Sequence, residues 1–203
     1  MEHSVSHIHR DDTASKIGMW LFIFTEMLLF VGLFLVYSVY RFENAEAFHL
    51  AAEELSVPIG TINTIILLIS SMTAAMSITS IQKGNKKLTL ILIGTTLVLA
   101  LVFLVNKYFE WGGKIEHGLY PGSEYLQELG HGDTLFFGLY FFMTGLHAFH
   151  IIVGMIILGF VYHRVSNERV NSTDYVFLEN GALYWHLVDL IWIFLFPLFY
   201  LIT

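Results

Sequence analysis

The chain of 203 residues has no cysteine. A disulfide framework, a thiolate metal site and a cysteine nucleophile are therefore excluded. Charge is scarce as well. Asp, Glu, Lys and Arg are 13% of the residues, where a soluble domain carries about 25%. The net charge of −7 gives no basic face for nucleic acid, so none is expected as a partner. The N-terminal stretch MEHSVSHIHRDDTASK has no apolar signal-peptide core. There is no glycine-rich phosphate cradle, no nucleophile beside a base in any loop, no repeat and no low-complexity tract. What the chain has in plenty is apolar residues, 56% of the total. That balance indicates an integral membrane protein.

Five apolar segments can be counted, at 17–40, 58–82, 88–109, 133–163 and 181–203. Each approaches or exceeds the ~20 residues needed to cross ~30 Å of hydrocarbon. The fold expected is all-α: a single bundle of five transmembrane helices over 17–203, preceded by a polar tail over 1–16. The fourth segment is long enough to tilt or to emerge from the bilayer. The first and third connections have room for short surface helices, and no domain outside the membrane is expected. The histidines of HSVSHIH could bind a metal, but a solvated tail is by far the better account of them.

Orientation follows from the basic residues. Arg10, Lys16, Lys83, Lys86, Lys87, Arg164 and Arg169 fall on one side, and Arg41, Lys107 and Lys114 on the other. The expected N-terminus is cytoplasmic and the expected C-terminus lies on the outer side. Ser70, Ala74 and Ser77 mark a face of the second segment where another backbone can approach. Gly138 and Gly145 suggest the same for the fourth.

Ionisable groups in hydrocarbon are costly and normally face a bundle interior or a cavity. Glu26 stands in WLFIFTEMLLF, with no partner nearby in sequence. His147 and His150 lie in TGLHAFHI, and His186 and Asp189 in YWHLVDLIW. Each of these pairs is spaced i, i+3 and so shares one side of its helix. Asn63 and Glu110 lie near the outer ends of the second and third segments. Three readings fit. His147, His150 and Glu26 could supply metal ligands. Glu26 could serve a proton path or act as a carboxylate switch. Alternatively, the polar groups hydrogen-bond across helices and set their register.

The ending GALYWHLVDLIWIFLFPLFYL resembles the C-terminal signature of subunit III of the heme-copper respiratory oxidases. TGLHAFHIIVG is similar to that family's Gly-x-His-x-x-His segment. MWLFIFTEMLLF resembles its helix with a membrane-buried glutamate. Asn63-Thr64 followed by LLISS, and Tyr108-Phe109-Glu110-Trp111, match two weaker motifs. The order of motifs is right over nearly the whole chain. Two features depart from the family's longer members. These have seven helices, so five here correspond to the last five, without the two-helix lobe. Pro197 also interrupts the terminal segment, where it frees a carbonyl and can kink the helix.

The resemblance implies a non-catalytic subunit with no catalytic residue, metal ligand, heme or copper of its own; heme and copper belong to partner subunits. It implies packing on subunit I, with subunit II and other respiratory-complex subunits as further partners, and bound phospholipid. By position, Glu26 is the buried, proton-related carboxylate. His147, His150, Glu179, His186, Asp189, Asn63 and Glu110 form the structural polar network, and Arg164 is the lipid-phosphate contact. An interfacial guanidinium suits that role, though an ordinary snorkelling arginine would look the same. The expected function is subunit III of a proton-pumping cytochrome c oxidase in a bacterial inner membrane, stabilising subunit I and supporting proton uptake. The alternatives are the equivalent subunit of a quinol oxidase, an accessory subunit of a nitric oxide reductase, and, in another class, a stand-alone proton-conducting or transport protein.

Overall fold

The computed structural model describes residues 12–202. Arg10 and the N-terminal histidines lie outside them. Seven helices are described: α1 (Asp12–Glu43), α2 (Ala45–Glu53), α3 (Val57–Gln82), α4 (Lys86–Glu116), α5 (Glu124–Leu129), α6 (His131–Ser166) and α7 (Val176–Tyr200). The described residues include no strand. α1, α3, α4, α6 and α7 are long and apolar enough to cross a membrane. The protein is a multi-pass, all-α membrane bundle. α2 and α5 are the short surface helices of the first and third connections.

The spans run further than hydropathy alone suggested. α1 already includes Asp12, inside the stretch expected to be tail. Asp12 lies in its first turn, where a carboxylate favours a helix N-terminus. That turn is tied to α7 by a Lys16–Glu179 salt bridge of 2.7 Å and an Asn180–Ser15 hydrogen bond of 3.0 Å. The same ties explain why α7 starts at Val176 rather than 181. α4 continues two turns past 109, and the Lys114 ammonium there donates to the Glu54 carbonyl. α6 has 36 residues, about 54 Å at 1.5 Å per residue.

Turn chemistry sets the breaks. Between α3 and α4 the chain reverses at Gly84, with φ +73°, and Asn85 caps α4 by accepting from the Leu88 amide at 3.0 Å. Ser123 caps α5 in the same way. α7 runs through Pro197 to Tyr200, and the Tyr37 hydroxyl of α1 donates to the nearby Leu198 carbonyl at 2.5 Å.

α7 is the most buried span and α1 the least. α7 packs against α1, α3 and α6, and α4 closes the other side of α3 and α6. α1 and α3 do not touch, so one side of α7 stays open between them. The closest backbone approaches are not at Gly138 or Gly145. A Cβ on Gly138 would meet nothing within 4 Å, and one on Gly145 would make ordinary contact with Trp111. A Cβ on Gly154 would instead lie 2.8 Å from the Trp185 ring. The small residue is needed where a tryptophan crosses, which spacing along one helix does not reveal. The serines of α3 do face a neighbour: Ser70 accepts from the Trp185 indole at 3.1 Å.

Candidate functional site

The polar residues singled out in the sequence fall into several separate places. Glu26 of α1 reaches His150 of α6, with Oε2 and Nε2 3.0 Å apart. The other ring nitrogen of His150 bonds the Leu146 carbonyl at 2.8 Å. That contact leaves Nδ1 as the donor, so Nε2 of a neutral ring is an acceptor. A protonated Glu26 then donates to the ring; an ionised one pairs with imidazolium. Phe30 packs edge-on to the imidazole, and the Tyr184 hydroxyl donates to the His150 carbonyl at 3.3 Å. The Glu26 side chain is 20% exposed. It is thus within reach of the membrane-facing surface.

His147 does not join this pair. Three residues advance an α-helix by about 300°, leaving the two rings about 60° apart. His150 turns to α1, whereas His147 stacks on Trp192 of α7 at 5.3 Å and meets Phe103 of α4 edge-on at 5.7 Å. His147 is fully buried, and neither ring nitrogen has a hydrogen-bond partner. Shared ligation of one metal by His147, His150 and Glu26 does not fit these positions. Among the described residues, no three His, Cys, Asp or Glu side chains gather to hold an ion.

His186 and Asp189 diverge for the same reason. The His186 Nδ1 is 2.7 Å from the Ser71 hydroxyl of α3. Asp189 is 3% exposed, and both its oxygens lack a partner. Around them the α3–α7 seam is held by indole donors, Trp185 to Ser70 and Trp192 to Thr64 at 3.0 Å. Asn63 accepts from Asn106 of α4 at 2.8 Å. Glu179 pairs with Lys16, and the Arg164 guanidinium lies over the Phe177 ring at 4.4 Å.

Glu110 belongs to the most completely bonded group in the bundle. Lys107, expected among the loop charges, is 2% exposed and donates to Glu110 at 3.1 Å, Tyr140 at 3.0 Å and Tyr200 at 2.9 Å. Those three bonds use all the ammonium hydrogens. Tyr140 and Tyr200 donate in turn to the other Glu110 oxygen, at 2.8 and 2.5 Å. The group locks α4, α6 and α7 together at the end of the bundle that carries α2 and α5.

The model of the family described as cytochrome c oxidase subunit III matches residues 2–203. The chain belongs to that family. A cytochrome c oxidase subunit 3 of Thermostichus vulcanus is 30% identical, over 98% of this chain and 93% of its own length. The one of Yarrowia lipolytica is 29% identical, over 91% of this chain; the match spans 66% of that longer protein. A heme-copper oxidase subunit I+III of Aeropyrum pernix is 30% identical over 91% of this chain and 22% of its own length. Other relatives are named as quinol oxidase third subunits, at 24% to 28% identity.

For this subunit III chain, sequence reading passed over Lys107, Tyr140, Tyr200 and Ser71. Lys107 and Glu110 are spaced i, i+3, a pairing signal that was available. The two tyrosines carry no such signal, since they reach the pair from other helices.

Proposed function

We propose that this chain is the non-catalytic third subunit of a proton-pumping cytochrome c oxidase in the cytoplasmic membrane of a bacterium. The observation that carries this reading is the family match from residue 2 to residue 203. The cytochrome c branch is favoured by relatives of that name which the chain spans almost entirely. Residues 17–203 act as one five-helix domain, with the N-terminus cytoplasmic. The main partner is the catalytic subunit I, a reading supported by the relative that joins subunits I and III in one chain; subunit II and other respiratory-complex subunits are further partners. Heme and copper reside in those partners.

Within this role the chain stabilises subunit I, binds phospholipid and supports proton uptake. Arg164 is the lipid contact: its guanidinium is exposed beside Phe177 and offers two N–H groups to a phosphate. Glu26 is the proton-related carboxylate, held by His150 and open to the membrane side. His147, His150, Glu179, His186, Asp189, Asn63 and Glu110 are the polar network of the bundle; all but His147 and Asp189, which have no hydrogen-bond partner, tie one helix to another. Glu26→Gln should leave assembly intact and abolish the reaction of this chain with a hydrophobic carbodiimide.

A second reading, the third subunit of a quinol oxidase, is favoured by full-length relatives of that name. Mild detergent extraction of the tagged chain, followed by heme spectroscopy and copper analysis, tests both. A co-purifying heme-copper enzyme with a dinuclear copper centre in its second subunit is the expected result. An oxidase without that centre selects the quinol reading. A colourless chain recovered alone defeats both.

A further inference from the structure

Three hollows adjoin on the surface at the α2/α5 end of the bundle. The first, of about 470 Å³, is lined by Glu54, His117, Tyr125 and Asp133 over apolar residues that include Leu119 and Phe137. The second, of about 280 Å³, shares Glu54, His117 and Leu119 with the first and adds Ser56 and Lys114. The third, of about 300 Å³, shares Ile59, Phe109 and Glu110 with the second and continues between α3 and α4 to Ile62 and Asn106. Ile62 and Phe109 are 54% and 71% exposed on helices long and apolar enough to cross the membrane. The cleft thus begins among polar groups beside the loops and ends against hydrocarbon.

Its charges are ordered along that course. The first hollow holds two carboxylates, Glu54 and Asp133, and no lysine or arginine lines it among the described residues. The second brings in one ammonium, Lys114, which donates one hydrogen to the Glu54 carbonyl and keeps two more. Glu110, at the junction with the third, is already bonded by Lys107, Tyr140 and Tyr200. Asn106 donates to Asn63, and the rest of the third hollow is apolar. Negative, positive and apolar in sequence complement a molecule built as ammonium, phosphate and acyl chain. We propose that this cleft binds a phospholipid with a primary-amine headgroup, of the phosphatidylethanolamine class, taken from the leaflet at the α2/α5 end.

The ammonium lies between Glu54 and Asp133, beside the Tyr125 ring, where an aromatic face also attracts a cation. The phosphate accepts the two remaining hydrogens of Lys114. An acyl chain follows Ile59 and Phe109 to Ile62. An anionic lipid without an amine would leave both carboxylates unpaired, and it would meet further negative charge from Glu116, Glu124 and Glu128 at the same end. A choline head carries the charge but has no N–H to donate. Asp133 stands in the first turn of α6, where the helix N-terminus already favours its charge, so Glu54 contributes more to selectivity. This site is separate from the Arg164 contact, which sits at the other end of α6, and it does not depend on which electron donor the oxidase uses.

The test places the protein, in the assembly in which it is purified, in phosphatidylcholine vesicles with a trace of phospholipid bearing a diazirine on one acyl chain. Mass spectrometry then identifies the photolabelled peptides. A phosphatidylethanolamine probe should label the α3 and α4 peptides holding Ile62 and Phe109 about tenfold more than a phosphatidylglycerol probe, the difference expected for one charge-assisted hydrogen bond. Glu54→Gln with Asp133→Asn should bring the two probes to parity there. Glu54→Gln alone should remove most of the preference, and it reads the same contact if the double variant does not assemble. Lys114→Gln should lower labelling by both probes, and Arg164→Gln should leave labelling at this site unchanged. Equal labelling by the two probes in the wild type overturns the proposal. So does a preference for phosphatidylethanolamine that survives the loss of Glu54 and Asp133, or labelling no stronger than that of the exposed face of α1 around Leu35.

Discussion

At the α2/α5 end of the bundle, Lys107 has every ammonium hydrogen bonded and Glu110 has both oxygens bonded. Farther along α7, 11 residues and about 16 Å from Tyr200, Asp189 is buried to a similar degree with neither oxygen bonded. Both regions put ionisable groups in a low-dielectric interior. One closes on itself through three helices and gains rigidity. The other leaves a buried carboxyl without a partner, one turn from the contact between His186 and Ser71. Burial alone therefore does not identify a structural clamp; the count of satisfied donors and acceptors does.

The sharpest break of this contrast is Glu110→Ala. It leaves Lys107 buried without a counter-charge and should cost about 3–5 kcal/mol, read as a fall in the thermal unfolding midpoint of the purified complex. Replacing both partners, Lys107→Met with Glu110→Leu, should recover most of that loss. A pair replacement that costs more than the single change would show that the clamp is not electrostatically closed. Next in size is Gly154→Val, which forces a side chain into the Trp185 ring and should cost about 1–3 kcal/mol by overpacking. Asp189→Asn should change the same midpoint by no more than about 1 kcal/mol, since no hydrogen bond is broken. A loss as large as that of Glu110→Ala would erase the distinction between the two regions. Lys16→Met should have the smallest effect. It opens the exposed tie to Glu179 and should quicken limited proteolysis near the start of α1, with the unfolding midpoint barely moved.

Much of the architecture was legible in the chain. Five apolar runs in 203 residues leave a helical membrane bundle as the reading. The connections at 41–57 and 110–132 had room for short helices, which are α2 and α5. The helix ends were less legible. Lys16, Glu179 and Asn180 look like loop residues to a hydropathy window. They are helical because bonds join the two spans there, Lys16 to Glu179 and Asn180 to Ser15.

The polar interior was legible only as a roster. Glu26 looked isolated because its neighbours in sequence are apolar; its partner His150 is 124 positions away. Lys107 looked like an interfacial charge because it sits near the end of an apolar run, and two tyrosines from other helices draw it inside.

Composition and hydropathy by themselves determined that this protein is a membrane helix bundle, because each span must satisfy its own backbone in lipid and that requirement is local. The order of its motifs determined its resemblance to subunit III. Only the tertiary structure decided which polar groups meet. An i, i+3 pair points toward one side of a helix, yet the 60° between its members is enough to hand them to different neighbours. His147 and His150 part company in this way, and so do His186 and Asp189.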